Sequence, residues 1–532
     1  MKLKNLLLSC CLAFTGTLCA QGSDLIKSVI PSQPQEKWWG GLVALGSQMP
    51  YASNTPQYDL ARQNFNNQVV PLFISSNGRY VWGEHPFKYQ FKNDTLIIES
   101  EYENLKAVEA GKTLKDAYLA ASKKHFPASG EIPEPLFFSK PQYNTWIELM
   151  YNQNQEDILA YANQVLANNF PTGIFMVDDN WQKYYGNFEF KPEKFPDPKG
   201  MVKELHEKGF KVMLWVCPFV SLDSPEYREL ASKEYLVKDR KTKQPAMIHW
   251  WNGVSACYDM TNPKAVEHLK KQLDVLCNEY GIDGFKFDAG DVGYMGGDYA
   301  FYDKNANASI FSQRWAELGL SYPYNELRTS WKLGGLPLVQ RLGDKDYSWH
   351  ATTLLIPDMA AAGLLGHFYT CPDMIGGGQF GAFLNIDSDK FDQELIVRSC
   401  QVHAMMPMMQ FSVAPWRILD QEHLEICAKF AHWHEELGEY ILEVAKESSK
   451  TGEPILRHME YAFPHQGFAD CKDQFMLGDT YLVAPVMTAG GERVVQLPKG
   501  RWQDDVGKKH KGPKKLNIKA DLDRLPYFIK MK

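Results

Sequence analysis

The stretch Gly281-Ile-Asp-Gly-Phe-Lys-Phe-Asp-Ala-Gly-Asp291 decides the fold. The segment before it carries helix signals at both ends. Asn262 suits an N-cap, Pro263 the first helical position, and Gly281 the C′ position, where a left-handed residue stops a helix. Val266, Leu269, Leu273, Leu276 and Tyr280 recur at steps of three and four, so one face of that helix is apolar. A short strand, Ile282 to Phe287, then delivers Asp288 and Asp291 just past its C-terminal end. In a β/α barrel that end is where catalytic side chains are presented. The competing reading is that two acids beside glycines cap the next helix.

Outward from this unit the same alternation repeats. A helix over 155–167 leads to the strand 173–177, which ends in Asp178-Asp179-Asn180-Trp181. Another helix over 199–208 leads through Gly209 to the strand 210–216, which contains Trp215 and ends in Cys217-Pro218-Phe219. Repeated helix–strand units mean a parallel sheet, and their number fits an eight-stranded (β/α)8 TIM barrel better than an open sheet. A dinucleotide-binding sheet would need Gly-x-Gly-x-x-Gly opening a helix, which Gly376-Gly-Gly378 does not supply.

On the N-terminal side, residues 21–134 read as a β domain. Runs such as 69–78 and 95–98 look like strands separated by turns, one helix spans 113–124, and residues 128–135 form the linker out. The barrel occupies 135–415. Residues 416–532 add a helical connection through 422–446 and a C-terminal β-sandwich with strands near 475–486 and 494–502.

A chain of 532 residues accommodates a large barrel plus two β modules. With 44% apolar and 23% charged residues it has ample core, and a net charge of −7 without a basic run argues against nucleic-acid binding. Residues 1–20 read as a signal peptide. Lys2 and Lys4 precede an apolar run, Leu6 to Leu18, too short to span a bilayer, and small residues surround Cys19-Ala20. That implies a periplasmic or secreted protein. Leu7-Leu8-Ser9-Cys10 makes a lipoprotein the rival reading. No other segment reads as a membrane span. Cleavage after Ala20 leaves seven cysteines at wide, irregular spacing, which is neither a disulfide framework nor a zinc site.

Several strands end in Asp: Asp178, Asp288, Asp344 and Asp373. Cleavage of a glycosidic bond needs one carboxylate as nucleophile and one protonated carboxyl as acid, drawn from different strands. Clustered acids also bind metals, but no Asp-x-Asp-x-Asn-Gly loop or His/Asp cluster supports that, and no metal or cofactor is expected.

Phe285-Lys286-Phe287-Asp288, Arg328 sixteen residues before Asp344, Gly343-Asp344 with Trp349 five residues on, and Cys371-Pro-Asp373-Met-Ile-Gly376-Gly377 come in that order. The ordered set resembles glycoside hydrolase family 31, the α-glucosidase, α-xylosidase and α-galactosidase superfamily. The resemblance runs from about 136 to 505. It implies Asp288 as the nucleophile at the end of the fourth strand and Asp344 as the acid/base. The resemblance also implies Asp178, Arg328 and Asp373 around the sugar, and Trp181, Trp215, Lys286 and Arg341 are the further candidates for substrate binding. The substrate implied is an oligosaccharide or glycoside, cleaved from its end by an α-retaining enzyme.

The chain also departs from the family. Ala289 and Asp291 stand where many members have Met or Phe and then Glu, and Arg341 replaces a Trp three residues before the acid/base. Cys217 and Ser412 fall where many α-glucosidases have a sugar-binding Asp and His. This is similar to the divergent branch that contains myogenesis-regulating glycosidase and its bacterial relatives, and it leans the expected substrate to an α-galactoside before an α-glucoside. Two readings stand beside hydrolysis: a barrel that binds carbohydrate without catalysis, and a lyase using the same nucleophile. Whether Arg341 points inward stays open, as does whether Trp181, Trp215 and Trp331 line the cleft or pack the core. His350 and His403 read as structural.

Overall fold

The computed structural model describes residues 25–384 and 391–532; the signal peptide read at residues 1–20 lies outside them. Eight parallel strands form the centre: β1 (Gln142–Asn144), β2 (Ile174–Val177), β3 (Lys211–Val216), β4 (Gly284–Phe287), β5 (Tyr324–Leu327), β6 (Val339–Arg341), β7 (Thr370–Cys371) and β8 (Gln410–Phe411). They pair in sequence order from β1 to β7, and β8 pairs with β1 through Gln410–Gln142 and Phe411–Tyr143. Between β7 and β8 the ring is joined by the Ile375 N–H donating to the Gln410 carbonyl at 2.8 Å. Strands covered on both faces need apolar side chains throughout. The run Val212-Met-Leu-Trp-Val216 in β3 is accordingly buried at every position.

Helices α1 (Gln155–Ala167), α2 (Pro198–Glu207), α3 (Pro263–Tyr280), α4 (Ala308–Leu318), α5 (Trp349–Leu364) and α6 (Gln393–Ala404) surround the sheet. In α3 the expected caps are both present: the Asn262 side chain accepts from the Lys264 N–H, and Gly281 is left-handed at φ 78°. Its buried face is Ala265, Leu269, Leu273 and Leu276, with Val266 and Tyr280 at its half-buried edges. One helix of the expected alternation is missing. From β5 to β6 the chain runs as a loop, and the N-terminal domain pairs with it: Val69 N donates to Ser330 O and Lys332 N to Val69 O, both at 2.9 Å. A strand edge from another domain supplies the backbone partners that a helix would have satisfied internally.

The N-terminal domain has two four-stranded antiparallel sheets. One holds the strands 26–31, 95–100, 88–91 and 58–59, the other 38–42, 69–75, 79–82 and 108–109. Phe73 from the second meets Tyr89 from the first edge-on at 4.8 Å between ring centres. After the barrel, α7 (Gln421–Thr451) leads to a six-stranded antiparallel sheet. Its longest strand, 492–504, shifts register between Leu497 and Gly500. Trp502 beyond the irregularity packs in the same small core as Val495 and Leu497 before it.

Candidate active site

Asp288 is fixed by the end of β4. Its N–H donates to the Val216 carbonyl at 2.9 Å, one step past the regular β3–β4 pairing. The chain then turns at once: Ala289 is left-handed at φ 58°, an uncommon state for a residue with a side chain, and Gly290 follows at φ 79°. A Cβ on Gly290 would sit 2.2 Å from Trp315 Cδ1, so only glycine fits. The turn leaves the Asp288 carboxylate facing inward. Oδ2 accepts from Trp215 Nε1 at 2.8 Å, Oδ1 accepts from the Ala289 N–H at 3.0 Å, and Arg328 Nη1 lies 3.6 Å from Oδ1. Burial pushes this carboxyl up, but the charges of Arg328, Lys286 and Arg341 and the Trp215 N–H outweigh it and hold it at about 2. Asp288 is therefore a carboxylate at neutral pH, the state a nucleophile requires.

Asp344 follows β6. Its neighbours are anchored on both sides, Gly343 N donating to Asn67 Oδ1 at 3.0 Å and Lys345 N to Asp373 Oδ2 at 2.8 Å. Arg341 does point inward. Its Nη1 donates to Asp344 Oδ1 at 2.7 Å and to Asp373 Oδ1 at 3.0 Å, while Nε lies 3.5 Å from Glu326 Oε1. The guanidinium is buried, and three carboxylates offset its desolvation. The Asp344 side chain remains 24% exposed against 8% for Asp288, so the two acids sit at different depths.

Both acids line one cavity of about 450 Å³ at the C-terminal ends of the strands. Of the residues expected around a sugar, Asp178, Trp215, Lys286, Arg328 and Arg341 line it too. Lys286 Nζ donates to Asp178 Oδ2 at 2.7 Å across the barrel floor. Asp373 lies behind Arg341, fully buried, and reaches the cavity only through it. Trp181 does not face the cavity. Asn180, at φ 77°, turns the chain so that the Trp181 indole packs on Phe190 and donates to the Trp215 carbonyl at 2.8 Å. Trp331 is buried at the junction with the N-terminal domain. His403 is buried between the carbonyls of Ser399 and Asp373. Ser412 and Cys217 are buried outside the lining, and the Ser412 hydroxyl accepts from the Ile147 N–H at 2.9 Å. Among the described residues no group of three or more His, Cys, Asp or Glu could hold a metal ion.

The sequence reading missed Asp179, Asn66, Tyr151, Trp251 and Tyr294, all in the lining. Adjacent residues on a strand face opposite ways, which disfavours a functional Asp-Asp pair, but β2 ends at Val177 and both acids belong to the turn. Asn252-Gly253 is a recognisable hairpin-turn signal and could have located Trp251. Asp179 Oδ2 accepts from Asn252 at 3.0 Å and Tyr185 at 3.1 Å, while Oδ1 is buried without a partner among the described residues. Burial and the neighbouring Asp178 push its carboxyl up to about 7. A raised acid binds its proton more tightly folded than unfolded, so its contribution falls as pH rises from about 4 to about 7. Melting curves across that range should show wild type losing stability relative to Asp179→Asn, by a few kcal/mol in order of magnitude. Parallel curves would show that Asp179 ionises freely.

The family model described as "Glycosyl hydrolases family 31 TIM-barrel domain" matches residues 137–313, and "Glycosyl hydrolase family 31 C-terminal domain" matches 452–531. Myogenesis-regulating glycosidase of Mus musculus is 34% identical over 417 residues, covering 76% of this chain and 58% of that protein. Alpha-xylosidase XylQ of Lactiplantibacillus pentosus is 25% identical over 472 residues, covering 84% and 60%. The chain thus spans about three fifths of the length of these curated relatives. Among solved structures, a dextranase of Flavobacterium johnsoniae complexed with glucose superposes with a TM-score of 0.81 at 20% identity, covering 96% of this chain and 67% of that one. An α-xylosidase from a soil metagenome complexed with xylose gives 0.80 at 22%, covering 95% and 79%. These structures share the fold, and the two family models and the mouse relative show that the chain belongs to glycosyl hydrolase family 31.

Proposed function

We propose that this protein is an exo-acting retaining α-glycosidase, with Asp288 as nucleophile and Asp344 as acid/base. The observation that carries the reading is the pair itself. An ionised carboxylate stands on the cavity floor, and a second, more exposed carboxyl faces the same space from another strand. Asp288 attacks the anomeric carbon as the glycosidic C–O bond breaks, and the departing oxygen takes its proton from Asp344. Water then attacks the glycosyl ester, gives its proton to Asp344, and releases the sugar and the Asp288 carboxylate. Arg341 donates to Asp344 Oδ1, so the proton that the acid step delivers either sits on Oδ2 or requires that contact to loosen as substrate enters. A binding-only barrel would have no use for both carboxylates, and a lyase would be recognised by an unsaturated product.

The sugar we favour is an α-galactoside over an α-glucoside. Cys217 and Ser412, which the family resemblance sets against the sugar-binding Asp and His of many α-glucosidases, do not reach the cavity. A buried hydroxyl left unpaired costs about 1–3 kcal/mol, enough for roughly ten-fold discrimination or more. A panel of p-nitrophenyl α-glycosides tests both levels. Release from none of them defeats the glycosidase reading, whereas a higher kcat/KM on the α-glucoside defeats only the choice of sugar.

A further inference from the structure

Between β3 and α3 the chain makes a hairpin in which Ile248–Trp250 pairs antiparallel with Gly253–Cys257. Trp251 and Asn252 form its tip, and left-handed Gly253 at φ 97° closes the turn. The tip is pinned from two sides of the cavity mouth. On one side the Trp251 indole lies 4.8 Å from the Arg328 guanidinium carbon, and its ring meets Tyr294 edge-on at 6.0 Å. On the other, Asn252 Nδ2 donates to Asp179 at 3.0 Å and to the Tyr185 hydroxyl at 2.7 Å, while Asn252 Oδ1 accepts from the Tyr151 hydroxyl at 2.8 Å. The hairpin therefore runs from the β5 loop to the loops after β1 and β2.

Depth orders the lining. Asp178, Lys286 and Asp288 on the floor are buried, whereas Trp251 is 40% and Tyr151 39% exposed. A sugar that reaches Asp288 fills the floor, so whatever its anomeric oxygen is bonded to points past Asp344 to the mouth. A large aromatic ring held in place yet left open to solvent suits the C–H face of a sugar ring or another flat, weakly polar group.

We propose that Trp251 is the platform for the leaving group and sets which groups the protein releases. The inference rests on the glycosidase reading above. Asn252 and Arg328 fix the indole, so its exposed part is presented without the entropy cost of ordering a mobile side chain.

The test compares two substrates with the same glycone, the one wild type turns over fastest. A disaccharide occupies floor and mouth, whereas the α-glycosyl fluoride occupies the floor alone. Trp251→Ala is expected to lower kcat/KM for the disaccharide roughly ten-fold or more while the fluoride stays within about three-fold of wild type. Trp251→Phe, which keeps a smaller ring over Arg328, is expected to recover part of the disaccharide loss. Equal losses on both substrates would mean that Trp251 acts only by holding Arg328, and an unchanged disaccharide rate would mean that the leaving group never touches it. Either result overturns the proposal while wild-type turnover keeps the glycosidase reading. A wild-type protein that turns over neither substrate removes both.

Discussion

Asp288→Ala is expected to abolish turnover, with a loss of at least ~10³-fold, because no glycosyl ester can form. The substitution also leaves Trp215 Nε1 without its acceptor and Arg328 with Asp291, 3.5 Å away, as its ion-pair partner among the described residues, so some loss of stability should accompany it. Lost activity by itself would not distinguish a missing nucleophile from a disturbed floor. External azide makes the distinction. The small anion fits the vacated space and attacks the anomeric carbon from that side, so it should restore part of the rate on an activated substrate and yield the β-glycosyl azide. A variant with near-wild-type activity would remove Asp288 from the mechanism. An inactive variant that azide does not rescue would place the residue in the structure of the floor.

For Asp344→Ala the expected pattern depends on the leaving group. General acid catalysis is worth about 10²- to 10⁴-fold, and that loss should appear in full on natural glycosides. Fluoride and dinitrophenolate depart with little protonation, so kcat/KM on those substrates, which reports glycosylation, should be nearly spared. Water must then attack the ester without a base, so kcat on the fluoride should fall and azide should raise it. The fold should tolerate the change, because Arg341 keeps Asp373 at 3.0 Å and Glu326 at 3.5 Å. Equal losses on activated and natural substrates would show that Asp344 is not the proton donor.

Much of this site was legible in the chain because its signals are local. The α3 caps and the apolar steps through Leu276 are set by backbone sterics and helix geometry within some twenty residues, and they place Asp288 at a strand end. The same holds for Asp178 after β2 and for Gly343-Asp344 after β6. β2 is a short apolar strand that stops at a polar residue, whereas β6, Val339-Gln-Arg341, is mostly polar and is marked by the Gly-Asp motif beyond it; in a parallel barrel all such ends share one face.

The tertiary structure decided what depends on partners distant in sequence. Trp181 and Trp215 look equivalent as letters, yet the turn at Asn180 sends one into the core while the other bonds Asp288. Arg341 points inward because Asp373 and Glu326 come from neighbouring strands to receive it, and a buried guanidinium is stable only where carboxylates meet it. The loop in place of a helix after β5 follows from Val69, more than two hundred and fifty residues earlier, reaching the backbone around Trp331. Hydrophobic period and capping act over a few residues, so the strand ends at Asp178 and Asp288 were legible locally, whereas Asp344 and Asp373 were found through the family resemblance. Which of those side chains share a cavity, and in which charge state, was settled only by the fold, because burial and Coulomb interaction act through space between residues the chain keeps far apart.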